Sequence, residues 1–191
     1  WGVVDLDRFG ANLRAVRDRI GEGRDVLLVV KADAYGHGAV EMAEAAAAEG
    51  VATLGVATLH EGLQLRQSGC TLPILVLSPL LPAEIGKAVA AGLEPSVGDL
   101  EFARALSGAA TAAGRAQRFH VEVDTGMGRT GVAAGDAVDF VAKASALPGL
   151  RLATVYTHFS DADAGDLGFA RGQVRRFRQV LDALAERRLR P

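Results

Sequence analysis

Apolar and polar residues follow one another in two alternating patterns along this chain. Short runs of apolar, largely β-branched residues predict six strands, at residues 26–30, 53–57, 73–77, 93–97, 118–123 and 150–156. Alanine-rich segments whose apolar residues recur every three or four positions predict helices, at residues 40–49, 59–68, 82–91, 99–113 and 137–147. A further helix before the first strand is indicated by its apolar residues Phe9, Leu13, Val16 and Ile20. Strands and helices that alternate through short connections predict a parallel sheet with helices outside it.

The number of strands leaves two architectures open. A chain of 191 residues with six strands is complete as an open, doubly wound α/β sheet. It is also the larger part of a (β/α)8 TIM-type barrel, which needs two more strand–helix units and typically about 250 residues. The sequence has no linker, low-complexity tract or sharp repeat, so we treat residues 1–191 as one domain.

Composition and charge narrow the classes of function. Apolar residues make up 49% of the chain, and a formal net charge of -2 gives no electrostatic reason to expect nucleic acid or an anionic membrane as partner. The arginines between residues 171 and 190 interleave with Phe177, Leu181 and Leu184 at helical spacing, which predicts a solvated helix face. Cys70 is the single cysteine, and no apolar run approaches the roughly 18 residues of a membrane span. We therefore expect a soluble, cytoplasmic protein.

The chemically most informative segment follows the first predicted strand. Lys31 stands at the end of that strand, where a parallel sheet opens toward a ligand. A lysine in such a place most often extends its amine to solvent. Apolar strand walls could instead lower the pKa of the amine and make it a nucleophile. Gly36 and Gly38 predict a tight turn that brings the Tyr35 hydroxyl to a phosphate oxygen, while the His37 ring could complete the turn's hydrogen bonds. Lys31 is therefore a candidate Schiff-base lysine.

A second motif surrounds a glycine-rich turn after the fifth predicted strand. Residues 126–131 read G-x-G-x-x-G, a pattern that is only weakly specific for dinucleotide sites. Arg129 stands where a small residue would let the backbone approach a phosphate, and Asp124 would repel a pyrophosphate, so we reject that interpretation. We expect instead that the turn aims Arg129 inward as a fixed cation and that Glu122 orients it through a charge-assisted hydrogen bond. Strand alternation places Glu122 and Asp124 on the same face.

A third group of polar residues closes the sixth predicted strand, where His158 follows Tyr156 and Thr157. A single histidine in such a place is more often structural than catalytic. The acidic loop at residues 161–166 does not fit a calcium-binding EF-hand, because its twelfth position is Gly172 where a glutamate is needed. We interpret these aspartates as loop and helix-start residues and predict no metal site.

Taken together, these motifs resemble those of alanine racemase, a pyridoxal-phosphate enzyme of the fold-type III group. The run Val30-Lys31-Ala32-Asp33-Ala34-Tyr35-Gly36-His37-Gly38 resembles the family's cofactor-lysine signature almost letter for letter. Supporting matches extend along the whole chain, at Val4-Asp5-Leu6-Asp7 with Asn12, Gly55-Val56-Ala57 leading to Glu61-Gly62, residues 123–131, and Tyr156-Thr157-His158-Phe159. The resemblance implies a (β/α)8 barrel, here incomplete at about six units and without the C-terminal β domain.

The resemblance also implies a role for each candidate residue. Lys31 would form the internal aldimine with pyridoxal 5'-phosphate and act as base on one face of the substrate. Tyr35 would contact the cofactor phosphate, and Arg129 would hydrogen-bond near the cofactor's phenolic oxygen. His158 would lie against the pyridine ring. Glu122 departs from the form of many members, which carry a carbamate-modified lysine there, but it supplies the same negative charge beside Arg129.

The activity implied by the resemblance is interconversion of L- and D-alanine, which supplies D-alanine for peptidoglycan. The second base would be a tyrosine from the partner subunit of a homodimer, beyond this chain. We therefore expect the 191-residue chain alone to be weakly folded or aggregating, with little or no racemase activity. Three alternatives stay open: a non-catalytic pyridoxal-phosphate-binding barrel, a fold-type III amino-acid decarboxylase, and a purely structural α/β domain. This sequence does not indicate which small amino acid is the substrate.

Overall fold

The computed structural model describes residues 2–189, which divide into two compact units. The first unit contains residues 2–78 and 91–93, and the second contains residues 79–90 and 94–189. Trp1 and Pro191, the ends of the predicted domain, lie outside the described residues, as does Arg190 at the end of the basic segment.

The first unit is built on three parallel strands. Its elements are, in order, α1 (Leu6–Ile20), β1 (Leu27–Val29), α2 (Lys31–Gly36), α3 (Ala39–Ala48), β2 (Thr53–Val56), α4 (Leu59–Gln67) and β3 (Ile74–Val76). Strand β2 lies between β1 and β3, with Leu54 opposite both Leu28 and Ile74. Leu54 and Ile74 are fully buried, as expected for strands covered on both faces. Each predicted strand of this unit is confirmed, one or two residues shorter than the apolar run.

Side chains that satisfy backbone groups hold the helices of the first unit in place. The Asp5 carboxylate accepts a hydrogen bond from the Arg8 amide at 3.0 Å and caps the start of α1. The Arg66 guanidinium of α4 donates to four backbone carbonyls at 2.8–3.2 Å, those of Cys70, Leu72, Ala91 and Gly92. One side chain therefore satisfies carbonyls in two separate segments of this unit.

The second unit repeats the strand–helix pattern. After a 3-10 helix (Pro82–Glu84) it contains α5 (Ile85–Ala90), β4 (Glu94–Pro95), α6 (Leu100–Ala112), β5 (Gln117–Asp124), β6 (Val132–Ala133), α7 (Ala137–Ser145), β7 (Leu150–Tyr156) and α8 (Gly168–Glu186). Strand β5 lies between β6 and β7 and is parallel to both. Its residues Phe119, Val121 and Val123 belong to the apolar core of the unit. The even-numbered residues of β5 lie on its opposite face, as alternation predicts.

The helices outside the sheet match the predicted segments closely. The arginines of α8 are exposed while Leu184 is buried, so the predicted solvated face is confirmed within the described residues. Two elements could not be predicted from the sequence, α2 and the two-residue strand β6, because both are shorter than any periodic pattern. None of the helices within residues 2–189 combines the length and apolar character needed to cross a lipid bilayer.

Candidate active site

The segment that follows β1 is a turn of left-handed helix. Ala32, Asp33, Ala34 and Tyr35 all have φ between 51 and 56°. For a residue other than glycine, this conformation costs about 1–2 kcal/mol of free energy, because its Cβ approaches the following carbonyl oxygen. Four such residues in succession store strain of a kind that is found at functional sites. The sequence predicted a tight turn here, but not its handedness.

Hydrogen bonds from several side chains hold this left-handed turn. The Asp33 carboxylate accepts from the Ala39 amide at 2.7 Å, and the His37 Nδ1 lies 2.7 Å from the Ala34 carbonyl oxygen. The His37 ring thus completes the turn's hydrogen bonds, as the sequence suggested. At the start of the turn, the Glu61 carboxylate accepts from the Ala32 amide at 2.8 Å. The sequence analysis had noted Glu61 only as a family match.

Lys31 directly precedes the left-handed residues and follows the buried Val30. Its side chain is half-buried, and no ion pair involves it within residues 2–189. Tyr35, at the far end of the turn, is 63% exposed, so its hydroxyl is available to a ligand. A cavity of about 480 Å³ lies beside the turn, lined in part by Tyr35 and His37, but Lys31 is not part of its wall. We therefore do not assign this cavity to the amine.

In the second unit, the glycine-rich turn after β5 is closed by Asp124. Its carboxylate accepts hydrogen bonds from the Gly126 amide at 2.8 Å and the Gly128 amide at 3.1 Å. These bonds lower the pKa of Asp124, that from Gly126 having the largest effect. The amides that a dinucleotide phosphate would need are thus already used by a side chain of the turn.

The predicted bond between Glu122 and Arg129 is wrong. Glu122 is buried on β5, and its Oε2 accepts instead from the Thr130 hydroxyl at 2.9 Å. Arg129 is exposed and forms no ion pair with Glu122 or any other described residue. The turn folds tightly onto Glu122, since a Cβ at Gly131 would lie 2.8 Å from the Glu122 carbonyl oxygen. This close approach brings the neighbouring Thr130 hydroxyl, and not the guanidinium, to the carboxylate.

Glu122 also influences a tyrosine at the end of β7. Burial raises the pKa of Tyr156 to about 12, a hydrogen bond with Ser96 opposes the rise, and the Glu122 carboxylate adds to it. The hydroxyls of Ser96 and Tyr156 lie 2.9 Å apart. Arg129 favours the charged form of Tyr156, so its guanidinium acts electrostatically at this position. Glu122 and Arg129 therefore share an electrostatic environment centred on Tyr156, without a direct bond.

A buried hydrogen-bonded cluster lies further back on the same face of β5. His120 is 1% exposed, with Nε2 2.8 Å from the Glu94 carboxylate and Nδ1 2.7 Å from the Thr154 hydroxyl. The Arg118 guanidinium lies 2.9 Å from the other oxygen of Glu94. Burial raises the pKa of Glu94, but the hydrogen bonds and charges of His120 and Arg118 outweigh it, so that the pKa is lowered. Sequence analysis missed this cluster, because its members come from three strands.

The loop that carries His158 is anchored by Gln173 of α8. Gln173 is fully buried, and its amide nitrogen donates to the His158 carbonyl oxygen at 3.0 Å and to the Thr125 hydroxyl at 3.3 Å. Its amide oxygen accepts from the Ser160 amide at 3.2 Å. Gln173 thus joins the loops that follow β5 and β7, while the His158 side chain stays exposed. The signal for it was a glutamine in register with the buried apolar residues of α8.

The acidic loop before α8 shows the role that the sequence predicted for it. The Asp166 carboxylate accepts a hydrogen bond from the Gly168 amide at 2.8 Å, where α8 begins. Within residues 2–189 no group of three or more histidine, cysteine, aspartate or glutamate side chains is placed to hold a metal ion.

Parallel strands that alternate with helices along the chain are the architecture of (β/α)8 barrel proteins, of which this chain contains part. Within this class the chain belongs to the family described as alanine racemase, N-terminal domain, whose profile matches residues 4–191. The resemblance and the fold class stated from the sequence are thereby confirmed.

Individual relatives agree with this membership. The chain is 37% identical to alanine racemase of Halothermothrix orenii over 189 residues, covering 99% of the chain and 50% of that protein. The solved alanine racemase of Clostridium difficile 630 has a TM-score of 0.93 at 32% identity, covering 97% of this chain and 49% of that one. A histidine racemase from Leuconostoc mesenteroides has a TM-score of 0.82 at 26% identity, covering 91% of this chain and 46% of that one. The chain thus spans about half the length of these relatives.

Proposed function

We propose that residues 1–191 form the pyridoxal-phosphate-binding barrel domain of an alanine racemase, which interconverts L- and D-alanine. The observation that carries the proposal is Lys31, which follows the parallel strand β1 and the buried Val30 and opens a strained left-handed turn. Family membership and relatives named alanine racemase support it. When bound, pyridoxal phosphate withdraws electrons from the α-carbon of an amino acid and so makes its proton removable.

The donor set of the first unit suits this cofactor. The Lys31 amine has no ion pair among the described residues, so it is available to the cofactor aldehyde. The exposed Tyr35 hydroxyl would donate a hydrogen bond to a phosphate oxygen. With an amino acid bound, the Lys31 amine would remove a proton from its α-carbon, or return one to it, on one face.

For the second unit we propose the roles that the family resemblance implies. The unpaired Arg129 guanidinium would donate to the phenolic oxygen of the cofactor, and the exposed His158 imidazole would lie against its pyridine ring. Glu122 would replace the carbamate charge, acting on Tyr156 and Thr130 and leaving Arg129 free for the cofactor. Cofactor binding that is weakened by Glu122→Gln and retained by Glu122→Asp would support this role.

Racemisation needs a second base on the opposite face of the substrate, because the proton returns from the other side. As the family resemblance implies, we assign that base to a tyrosine of a partner subunit in a homodimer. The enzyme would act in the cytoplasm and supply D-alanine for peptidoglycan.

A second candidate is racemisation of another amino acid. The histidine racemase from Leuconostoc mesenteroides has the same fold over most of this chain. Rates measured for L-alanine, L-serine and L-histidine with a chain extended beyond Pro191 to the length of its relatives would separate the two. Absence of turnover on L-alanine beside turnover on another amino acid would favour the second candidate.

Borohydride reduction in the presence of pyridoxal phosphate, followed by peptide mass mapping, tests the cofactor lysine. The chain has three lysines, so Lys87 and Lys143 report background labelling within the same molecule. We expect a phosphopyridoxyl label at Lys31 well above the other two. Equal labelling of all three lysines in both the 191-residue chain and the extended chain would refute the assignment.

A further inference from the structure

Glu61 joins the start of α4 to the left-handed turn that begins after Lys31. We propose that Glu61 is a positioning residue for Lys31, whose carboxylate holds the peptide that follows the lysine in its left-handed conformation. The inference rests on the proposed function for the role of the amine, whereas the conformational effect of Glu61 stands on the contacts alone.

The two carboxylate oxygens of Glu61 have separate partners. Oε2 accepts from the amides of Ala57 at 2.7 Å and Thr58 at 3.0 Å, which is the return half of a capping box with the Thr58 hydroxyl. Oε1 accepts from the Ala32 amide at 2.8 Å, across a sequence separation of 29 residues. Capping of α4 requires only Oε2, so the Oε1 contact is an additional function of this side chain.

The position of that contact explains its importance. Ala32 is the first left-handed residue, and its amide belongs to the peptide bond with Lys31. The other side-chain contacts of the turn act later, at Ala34 and Ala39. Among the described residues, Glu61 is thus the one side chain that hydrogen-bonds the backbone of residues 31 and 32. The free energy of a charge-assisted hydrogen bond is similar to the conformational cost of one left-handed residue. Loss of this bond is therefore enough to let Ala32 leave its left-handed conformation.

Glu61→Gln is the informative substitution, because it preserves size but leaves one accepting oxygen. The glutamine can cap α4 or hold Ala32, but its amino group would face amide donors on the other side. Glu84→Gln is the matched control, since Glu84 Oε2 accepts from the Leu81 amide at 2.8 Å in a similar helix-start contact far along the sequence. Thr58→Ala is a second control, which weakens the α4 cap and keeps the glutamate.

Two measurements test the proposal in the chain extended beyond Pro191. Hydrogen–deuterium exchange reports protection of the amides of residues 32–36. Labelling of Lys31 by pyridoxal phosphate and borohydride, relative to Lys87 and Lys143, reports presentation of the amine. In this step the amine adds to the aldehyde carbon, water leaves, and borohydride delivers hydride to the resulting C=N bond. For Glu61→Gln we expect about tenfold faster exchange and about tenfold slower relative labelling, equivalent to about 1.4 kcal/mol.

Each outcome of this experiment decides a separate point. Unchanged exchange in Glu61→Gln would overturn the proposal, as would an equal change in Glu84→Gln and Thr58→Ala, which would indicate general destabilisation. Faster exchange in Glu61→Gln alone supports the conformational effect. If the unsubstituted chain also fails to label Lys31 selectively, the proposed function fails while the exchange result still decides the conformational role of Glu61.

Discussion

In the left-handed turn after β1, we expect replacement of alanine by glycine to stabilise the protein, whereas the same change destabilises an ordinary right-handed helix. Ala32 is exposed and has φ 51° and ψ 49°, so Ala32→Gly removes only an exposed methyl group. The substitution relieves about 1–2 kcal/mol of left-handed strain and adds about 0.5–1 kcal/mol of chain entropy in the unfolded state. We therefore expect the free energy of unfolding to rise by about 0.5–1 kcal/mol.

The matched control is Ala47→Gly in the right-handed helix α3. Ala47 is also exposed and belongs to the same unit, so the two variants share the change in chemistry and differ in backbone handedness. We expect Ala47→Gly to lower the free energy of unfolding by about 0.5–1 kcal/mol. Urea denaturation of the chain extended beyond Pro191, followed by circular dichroism, measures both, because a shift in midpoint at constant slope reports stability.

Whether the two alanine-to-glycine variants change stability in opposite directions tests whether residue 32 stores left-handed strain. If Ala32→Gly destabilises the protein as much as Ala47→Gly does, then residue 32 does not store left-handed strain. Backbone strain would then not be concentrated beside Lys31 either.

Three further predictions concern the second unit. In Tyr35→Phe, Tyr156 is the remaining tyrosine, and its ultraviolet titration should have a midpoint near pH 12 in the folded chain and near its ordinary pKa of 10 in urea. Since this pKa is raised on folding, the free energy of unfolding should fall as pH rises from 10 toward 12 and the tyrosine ionises in the unfolded state. Tyr156→Phe should lack this part of the pH dependence. Since the pKa of Glu94 is lowered on folding, its carboxylate contributes stability that is present above its ordinary pKa of 4.5 and is lost as pH falls through the pKa of the folded state. Glu94→Gln should therefore reduce the fall in stability at acid pH. It should also lower the free energy of unfolding at neutral pH by about 1–3 kcal/mol. Gln173→Leu should cost about 1–3 kcal/mol in urea denaturation, because buried partners in two loops lose their hydrogen bonds, and a loss below 0.5 kcal/mol would contradict that anchoring role.

Strand β3 could be predicted from sequence because a parallel strand buried on both faces appears as a continuous apolar run. The handedness of α2 could not, since Ala32 and Ala34 individually favour a right-handed helix. Contacts made 29 residues apart, such as that of Glu61 with the Ala32 amide, override this local preference. Local patterns report only the residues nearby, so a turn stabilised from a distant helix leaves no mark in its own segment.

For the candidate site residues too, the face of a strand could be predicted from the sequence, whereas partners on other elements could not. Alternation correctly placed Glu122 on one face of β5, but it did not identify Thr130 as its partner, because that depends on how closely the turn folds at Gly131. The partners of Glu94 and Gln173 lie on other elements and required the fold itself.

The Asp124 turn has a consequence for how this region meets anions. Its amides point at a carboxylate tethered two and four residues away, so that this anion competes at a very high effective concentration. Free phosphate or sulfate in solution would have to displace a competitor that never diffuses away. The turn is thereby less open to anions from solution than a turn whose amides have no side-chain partner. Replacement of Asp124 by alanine would expose the Gly126 and Gly128 amides to water and remove the carboxylate that competes with anions from solution.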